Sequence, residues 1–276
     1  MKKEKALDIF TNILLFLIVI IFVLPILMMF LTSIQDPMLI IKDAKPHFIF
    51  IPNFQNYINL ITKTNFMRSL VNSLIVSIGH TALALFISFP AAYSLSRGGS
   101  FKSKFWVTLW IMATRCLPPI GMAIPFYIIF QRLGIYNTSF GLMILYLTLN
   151  LSFGVMMLKS FLKNVPVELE EAAFIDGASL WTMMTRIILP IIRPGLVATS
   201  IFIFTVSWNE FMFAFLFTSF QNKTAPVEIS SFITPMGIQW AEMSAAGCLI
   251  MSPVIIFAIV IRKYIVSGLT MGAVKG

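Results

Sequence analysis

Six long apolar runs limit what this sequence can fold into. A helix needs about 20 mostly apolar residues to cross roughly 30 Å of hydrocarbon. The runs that reach or approach this length are 13–31, 70–95, 105–130, 140–158, 196–217 and 245–261. They lack the alternation of polar and apolar residues that strands of a membrane barrel show. The sequence therefore predicts an all-α membrane protein, with residues 1–276 forming a single domain of six transmembrane helices.

The composition agrees with a chain that lies mostly in a bilayer. Hydrophobic residues make up 58% of it and charged residues 11%, and the mean hydropathy is +0.91. A soluble domain of this length would need far more charge to cover its surface. The first run follows Lys2, Lys3 and Lys5, as the core of a secretory signal would, but it is too long for one and no small-residue cleavage site follows. We therefore expect an uncleaved first helix.

The net charge of +9 predicts a topology rather than binding to nucleic acid. With the N-terminus inside, thirteen of the 20 lysines and arginines fall on the cytoplasmic side, six fall outside, and Arg115 is left within a run. Cytoplasmic loops of membrane proteins carry such an excess of Lys and Arg. We therefore expect both termini to be cytoplasmic.

The segment 161–194, between the fourth and fifth runs, concentrates negative charge. Four of the 11 acidic residues of the chain fall within nine positions of it. They are Glu168, Glu170, Glu171 and Asp176. Glutamates in the first turn of a helix stabilise it because they lie near the positive end of its dipole. Part of the cluster, Glu168 above all, is therefore expected to stabilise a helix end.

The same segment contains signals for two short helices around a tight bend. Asn164 can cap the first helix, and Asp176-Gly177 is a signal for its end. Ser179 can cap a second helix, which Pro190 is expected to end.

One side of the first helix carries small apolar residues at helical spacing, and this leaves two interpretations. They are Leu169, Ala172 and Ala173. An amphipathic helix lying on the membrane surface and a helix docked into a partner are about equally supported by the local pattern. Alanine favours docking, since it lets two backbones approach closely and anchors weakly in lipid.

Seven residues of this segment have the spacing of a known motif. The segment resembles the EAA loop of permease subunits in ATP-binding-cassette (ABC) importers: Glu-Ala-Ala, three residues, Gly, nine residues, Ile, one residue, Leu-Pro. The matching residues are Glu171-Ala172-Ala173, Gly177, Ile187 and Leu189-Pro190.

Three further stretches are similar to the carbohydrate (maltose/oligosaccharide) branch of these permeases. They are "NSLIVSIGHTALALFISFPAAYSLSR" (72–97), "SWNEFMFAFLF" (207–217) and "GLTMGAVKG" (268–276). The resemblance implies a type I importer permease fold in a prokaryotic cytoplasmic membrane and the import of a sugar or sugar derivative.

The resemblance also implies partners for the chain. These are two ATP-binding cassette subunits, a second homologous permease subunit and an extracytoplasmic solute-binding protein. Docking to the ATPase would fall to Glu171, Ala172, Ala173, Asp176 and Gly177. The chain has no GxxxxGK[ST] phosphate loop, so ATP and Mg²⁺ are expected on the partner subunits and no cofactor on this chain.

Polar residues within the runs are candidates for a substrate pathway, because ionisable groups in a membrane are costly and point to function. Arg115, Asn150 and Glu210 fall at similar depth, counted along their helices. Trp208 and Asn209 add a ring and an amide that suit a hydroxyl-rich sugar. Consecutive helical residues point about 100° apart, so Trp208, Asn209 and Glu210 cannot all face one cavity. Trp208 has the alternative of packing against another helix.

Other roles for these residues are open on the sequence alone. An ion pair between Arg115 and Glu210 is as well supported as substrate contact. For His80 and Asn150, an ordinary hydrogen bond between helices is favoured. Pro118-Pro119 is expected to break the third helix just after Arg115, since such breaks are tolerated where backbone lines a cavity or is satisfied by neighbours.

Functions of other classes have less support. A self-sufficient secondary transporter or channel would need coupling residues within the spans and often shows inverted repeats. Only Glu210 is an acidic residue well within a run, and no repeat is visible. No nucleophile–base set or metal-ligand spacing predicts an enzyme or a metal site. An ABC permease for a solute other than a sugar is the nearer alternative.

Overall fold

The computed structural model describes residues 2–42, 48–98 and 100–273, with the side chains of 8–40, 48–98, 100 and 102–259. The side chains of Lys2, Lys3, Lys5 and of all residues in the tail 268–276 are outside the described set, and so is the backbone of 274–276. The described chain is helical apart from one two-stranded hairpin. It divides into two compact units, Met1–Met67 with Glu228–Pro253 and Arg68–Val227 with Val254–Gly276. The single domain stays a prediction.

The first unit holds the N-terminal apolar helix. Its elements are α1 (Lys2–Ser33), α2 (Pro37–Lys42), α3 (Gln55–Lys63), the antiparallel hairpin of β1 (Ile233–Thr234) and β2 (Gly237–Ile238), and the start of α14 (Trp240–Ala273). The buried amide of Asn56 donates to the carbonyls of Ser33 at 2.9 Å and Gln35 at 2.8 Å. These bonds tie α3 to the end of α1.

The second unit holds most of the remaining helices. Its α-helices are α4 (Phe66–Arg97), α5 (Phe101–Ala113), α6 (Pro119–Arg132), α7 (Ser139–Leu162), α8 (Glu168–Ile175), α9 (Leu180–Thr182), α10 (Leu189–Ile191), α11 (Arg193–Trp208), α12 (Met212–Phe217) and α13 (Ala225–Ile229). A π-helical turn, Met183–Ile188, joins α9 to α10, and a 3₁₀ turn lies at Thr114–Cys116. The other 3₁₀ turn, Ser230–Phe232, belongs to the first unit.

Four helices are long and apolar enough to cross a membrane. They are Asp8–Ser33, Phe66–Arg97, Ser139–Leu162 and Trp240–Ile259. Two further pairs pass the same test together but are bent, Lys102–Cys116 with Pro119–Arg132 by 94° and Leu180–Ile191 with Arg193–Trp208 by 81°. By length and composition, the described residues thus contain four candidate spans, or up to six if each bent pair is one span, and the arrangement of six stays a prediction.

The third predicted run, 105–130, is not one straight helix. After α5 the chain makes the 3₁₀ turn Thr114–Cys116, and Leu117 and Pro118 are extended with ψ of 122° and 126°. A residue before proline is pushed out of the helical region, and proline fits the first turn of the next helix. The break expected after Arg115 is confirmed.

The fifth predicted run, 196–217, was wrongly read as one helix. Helix α11 ends at Trp208, residues 209–211 leave the helical path, and α12 begins at Met212. The carboxylate of Glu210 accepts hydrogen bonds from the backbone N–H groups of Phe213 at 2.8 Å and Ala214 at 3.0 Å. A side chain that satisfies the free N–H groups of a new helix stabilises the interruption.

Helices α4, α7 and α11 approach one another closely in the second unit. A Cβ added to Gly154 on α7 would lie 2.5 Å from Ser88 Oγ on α4 and 3.3 Å from Ile203 on α11. A cluster of apolar residues packs the segment 161–194 against the ends of α4 and α7. Its buried members are Ala92, Val155, Leu158, Leu162, Val165, Ala173, Met183, Ile188 and Ile192.

Candidate functional site

The helix that carries the EAA residues begins later than the sequence suggested. Residues 163–167 form turns, and α8 starts at Glu168 with Val167 at its N-cap and no capping side chain. The cap at Asn164 was therefore wrong. Three glutamates do occupy the first turn, where the free N–H groups of the helix favour negative charge.

The predicted stop at Asp176-Gly177 is confirmed. The N–H of Ala178 donates to Ala173 O at 2.9 Å, and the N–H of Gly177 donates to Phe174 O at 3.0 Å. This pair of bonds is the Schellman motif, which needs a left-handed residue after the helix. Gly177 supplies it with φ of +78°.

The second helix of the segment is longer than predicted. The hydroxyl of Ser179 accepts from the N–H of Thr182 at 3.2 Å, which confirms the cap. Pro190 does not end the helix, which continues to Ile191. Leu189 donates to Met184 O, five residues back, and this wider turn accommodates a proline that has no N–H to donate.

The inner face of α8 is held by an ion pair that the sequence analysis did not identify. Glu170 is 4% exposed. Its Oε1 lies 2.7 Å from Nε of Arg97, and its Oε2 accepts from the hydroxyl of Tyr93 at 2.8 Å. Arg97 also donates to Val165 O at 2.7 Å. The available signal was Arg97, a cation at the end of the second run, which the predicted topology puts on the same side of the membrane as the acidic cluster.

This contact changes which face of α8 is buried. Ala173, one turn after Glu170, is also buried, whereas Leu169 and Ala172 are exposed. The stripe of Leu169, Ala172 and Ala173 was therefore not the packing face. A carboxylate with two partners fixes the rotation of the helix more strongly than the burial of small side chains.

The outer face of α8 is open. Glu171, Ala172, Ile175, Asp176 and Gly177 are all exposed, and Ile175 reaches 86%. Leu180 and Trp181 are exposed on the following helix. We call Glu171, Ala172, Ile175, Asp176 and Gly177 the outer face of α8. A surface that mixes apolar side chains with carboxylates suits contact with a protein that offers both apolar and basic groups.

Two of the candidate substrate residues lie in the protein interior. The amide of Asn150, 2% exposed, donates to Nε2 of His80 at 3.1 Å and to Oγ of Ser207 at 3.4 Å. Nδ1 of His80 faces the carbonyl of Met143 at 3.0 Å, so Nδ1 carries the proton. Trp208 is 1% exposed and stacks on Phe204 with ring centroids 5.6 Å apart.

The other candidates lie on the surface or at a helix end. Arg115 and Asn209 are exposed. Among the described residues, Arg115 and Glu210 form no ion pair, and the guanidinium of Arg115 lies 5.8 Å from the centroid of the Phe153 ring. Glu210 is half-buried and caps α12. The structure therefore brings together His80 and Asn150 but does not gather the five candidates into one cavity.

A cleft of about 410 Å³ lies beside the break between α5 and α6. Its mostly apolar lining comes from α4, α5, α6, α7 and the break itself, and includes Thr114, Thr148 and Ser152. A sugar needs several paired polar groups, so the cleft as it stands is a poor sugar site.

Comparisons with known proteins agree with the motif and with the fold. Residues 84–271 match the family described as "binding-protein-dependent transport system inner membrane component". The chain is 37% identical to the "Probable ABC transporter permease protein y4oR" of Sinorhizobium fredii, over 83% of this chain and 82% of the relative. It is 36% identical to the trehalose/maltose transport system permease protein MalG of Thermococcus litoralis, over 80% and 81% of the two chains.

A solved structure shares the fold. It is a chain of a bacterial ABC transporter involved in the import of the acidic polysaccharide alginate, with a TM-score of 0.80 over 96% of this chain and 98% of that one. The two are 19% identical, so the likeness concerns the fold alone. This structural likeness confirms the mostly helical permease fold.

Proposed function

The chain belongs to the family of inner membrane components of binding-protein-dependent transport systems, and we propose that it is the permease subunit of an ATP-driven importer of a sugar or sugar derivative. The observation that carries the sugar assignment is the 36% identity with a permease named for trehalose and maltose. The chain would form the path through the cytoplasmic membrane and leave ATP hydrolysis to separate subunits that bind ATP and Mg²⁺.

The outer face of α8 is the proposed docking surface for one of two ATP-binding subunits, and the second permease of the pair would dock the other. Ala172 and Gly177 allow close approach of a partner, and Glu171 and Asp176 offer charge at the edge of the contact. Ala173 was expected to dock but is buried in this chain. Its proposed part is to support α8 from behind.

The proposed topology has six spans and both termini cytoplasmic, with α5 and α6 counted as the third span and α11 and α12 as the fifth. It places α8 on the cytoplasmic side, where an ATPase would bind. An extracytoplasmic solute-binding protein would deliver the sugar on the other side. A second, homologous permease would complete the pathway, because Arg115 and Asn209 are exposed on this chain without forming a closed site.

The proposed pathway residues differ in what they can contribute. Arg115 and Asn209 are exposed and able to meet a substrate directly. Glu210 shapes the break at 209–211, where backbone groups lie free of the helix. Asn150 and Trp208 are buried and would support the pathway from behind.

Uptake by the reconstituted complex tests the function. The chain, its second permease and the ATPase subunits are placed in liposomes with the solute-binding protein, and uptake of radiolabelled trehalose and maltose is measured. We expect uptake that requires ATP and is stopped by vanadate. Uptake that persists without the ATPase subunits would favour a self-sufficient transporter instead.

Crosslinking tests the docking surface. In a background in which Cys116 and Cys248 are replaced by serine, a thiol crosslinker is attached to Ala172→Cys, with Ala173→Cys as the buried control. The exposed position is expected to crosslink to the ATPase, and the buried one to remain unmodified. Crosslinks from Ala172→Cys to phospholipid alone would exclude docking at this face.

A further inference from the structure

We propose that the ion pair between Arg97 and Glu170 is the positioning contact that carries movement of α8 into the membrane helix α4. The proposal rests on the proposed function, since it assumes that an ATPase moves α8. It concerns the inner face of the helix, which faces away from any docked partner.

The geometry makes this contact a rigid one. Both carboxylate oxygens of Glu170 are used, Oε1 by Arg97 at 2.7 Å and Oε2 by Tyr93 at 2.8 Å. Arg97 uses its second nitrogen to hold Val165 O at 2.7 Å. The side chains of Arg97 and Glu170 are 15% and 6% exposed, so salt and water screen the pair weakly. Two residues of α4 thus hold one residue of α8 and the connection that precedes it.

Helix α4 extends from this contact into the interior. Arg97 lies in its last turn, and His80 lies 17 residues earlier on the same helix. At 1.5 Å per residue this is about 25 Å along the axis. His80 is bonded to Asn150 on α7, which is bonded in turn to Ser207 on α11. A displacement of α8 would therefore be passed along α4 to the place where α4, α7 and α11 are bonded to one another.

The chemistry of the contact favours transmission over simple stability. An apolar pair of similar volume often stabilises a protein as well as a buried ion pair does, whereas loss of one charged partner is strongly destabilising. A charged pair with fixed hydrogen bonds allows only one register between two helices. Such a contact suits a joint between a moving helix and a span.

Three variants and one control test the proposal in the reconstituted complex. The variants are Glu170→Gln, Arg97→Gln and the double variant Arg97→Gln/Glu170→Gln. The control is Arg132→Gln, which removes an exposed arginine from the last turn of α6. ATP hydrolysis and uptake of labelled trehalose and maltose are measured together, along with co-purification of the ATPase.

We expect both single variants to retain the ATPase subunits and ATP hydrolysis while uptake per ATP falls roughly fivefold to tenfold, the lower range of coupling between distant sites. The double variant leaves no unpaired buried charge, so its loss of uptake per ATP should be smaller than the product of the two single losses. Uptake per ATP should be unchanged in Arg132→Gln.

The outcomes separate this proposal from the function on which it rests. If the unaltered complex shows no ATP-driven uptake, the proposed function fails. If it transports and Glu170→Gln has the same uptake per ATP, the positioning role is overturned. If the single variants fail to assemble, the double variant decides, and normal uptake per ATP in that variant overturns the role.

Discussion

The imidazole of His80 and the amide of Asn150 meet 3.1 Å apart in the interior of the second unit. The two residues are 70 positions apart in the chain and join α4 to α7. Because the Met143 carbonyl fixes the proton on Nδ1, Nε2 of His80 can only accept, and Asn150 supplies the donor. The bond is therefore a polar link between two spans.

Replacing Asn150 by leucine should destabilise the protein, because it keeps the volume and leaves Nε2 of His80 without a donor. We expect a loss of about 1 kcal/mol, typical of polar contacts between membrane helices. Thermal unfolding of the detergent-solubilised complex measures it. Asn209→Leu is the control, since Asn209 is exposed and its side chain donates to Thr205 O within the same helix. Equal shifts in the two variants would contradict the interior role.

Replacing Gly177 by valine should strain the Schellman turn. An L-residue in the left-handed region costs about 1–2 kcal/mol, and no described atom of this chain lies within 4 Å of the added Cβ, so the effect within this chain is backbone strain. We expect the spans to assemble and uptake per ATP to fall roughly fivefold, in the range of coupling free energies.

Gly134→Val is the matched control for this variant. Gly134 follows α6, has φ of +69° and also has open space around an added Cβ. The control should lose similar stability and keep normal coupling. If uptake per ATP is the same in Gly177→Val and Gly134→Val, the bend after α8 has no special part in coupling ATP hydrolysis to transport.

Replacing Gly154 by alanine should disturb the packing of α4, α7 and α11. The added Cβ would lie 2.5 Å from Ser88 Oγ and 3.2 Å from Ser88 Cβ, so the Ser88 side chain or the helix that carries it must shift. Such overpacking costs about 1–3 kcal/mol. Gly121→Ala is the control, because its added Cβ would meet only Pro118 at 3.6 Å. We expect a lower melting temperature for Gly154→Ala and an unchanged one for Gly121→Ala. An unchanged melting temperature in Gly154→Ala would show that the contact accommodates the added methyl group without loss of stability.

Replacing Glu210 by alanine should loosen the start of α12. The backbone N–H groups of Phe213 and Ala214 lose their acceptors, and loss of such a cap costs about 1 kcal/mol. Hydrogen–deuterium exchange is expected to become faster at these two amides and to stay unchanged in α7. Unaltered exchange at both amides would mean that α12 does not depend on this carboxylate.

Replacing Arg115 by glutamine separates a pathway role from a structural one. The residue is exposed and lies near the Phe153 ring, so we expect stability to change by less than about 0.5 kcal/mol. Uptake of trehalose and maltose should fall, and Arg115→Lys should restore part of it. Normal uptake in Arg115→Gln would remove this residue from the pathway.

The EAA segment shows where sequence reasoning succeeded and where it failed. Asp176-Gly177 and Ser179 act through bonds to backbone within a few residues, and their roles followed from local pattern. Glu170 looked like one more glutamate in an acidic first turn. Its partners, Arg97 and Tyr93, lie more than 70 positions away, and no local pattern identifies them.

The sequence by itself determined the membrane class, the apolar runs, the family and the interruption at Pro118-Pro119. These depend on composition, on the length of apolar stretches and on backbone limits that a proline imposes wherever it occurs. The tertiary structure alone decided that α8 turns Glu170 inward and Ile175 outward, that Asn150 bonds to His80, and that Glu210 caps α12 rather than pairing with Arg115. A polar side chain takes the partner that folding brings nearest, and that choice depends on how separate helices pack.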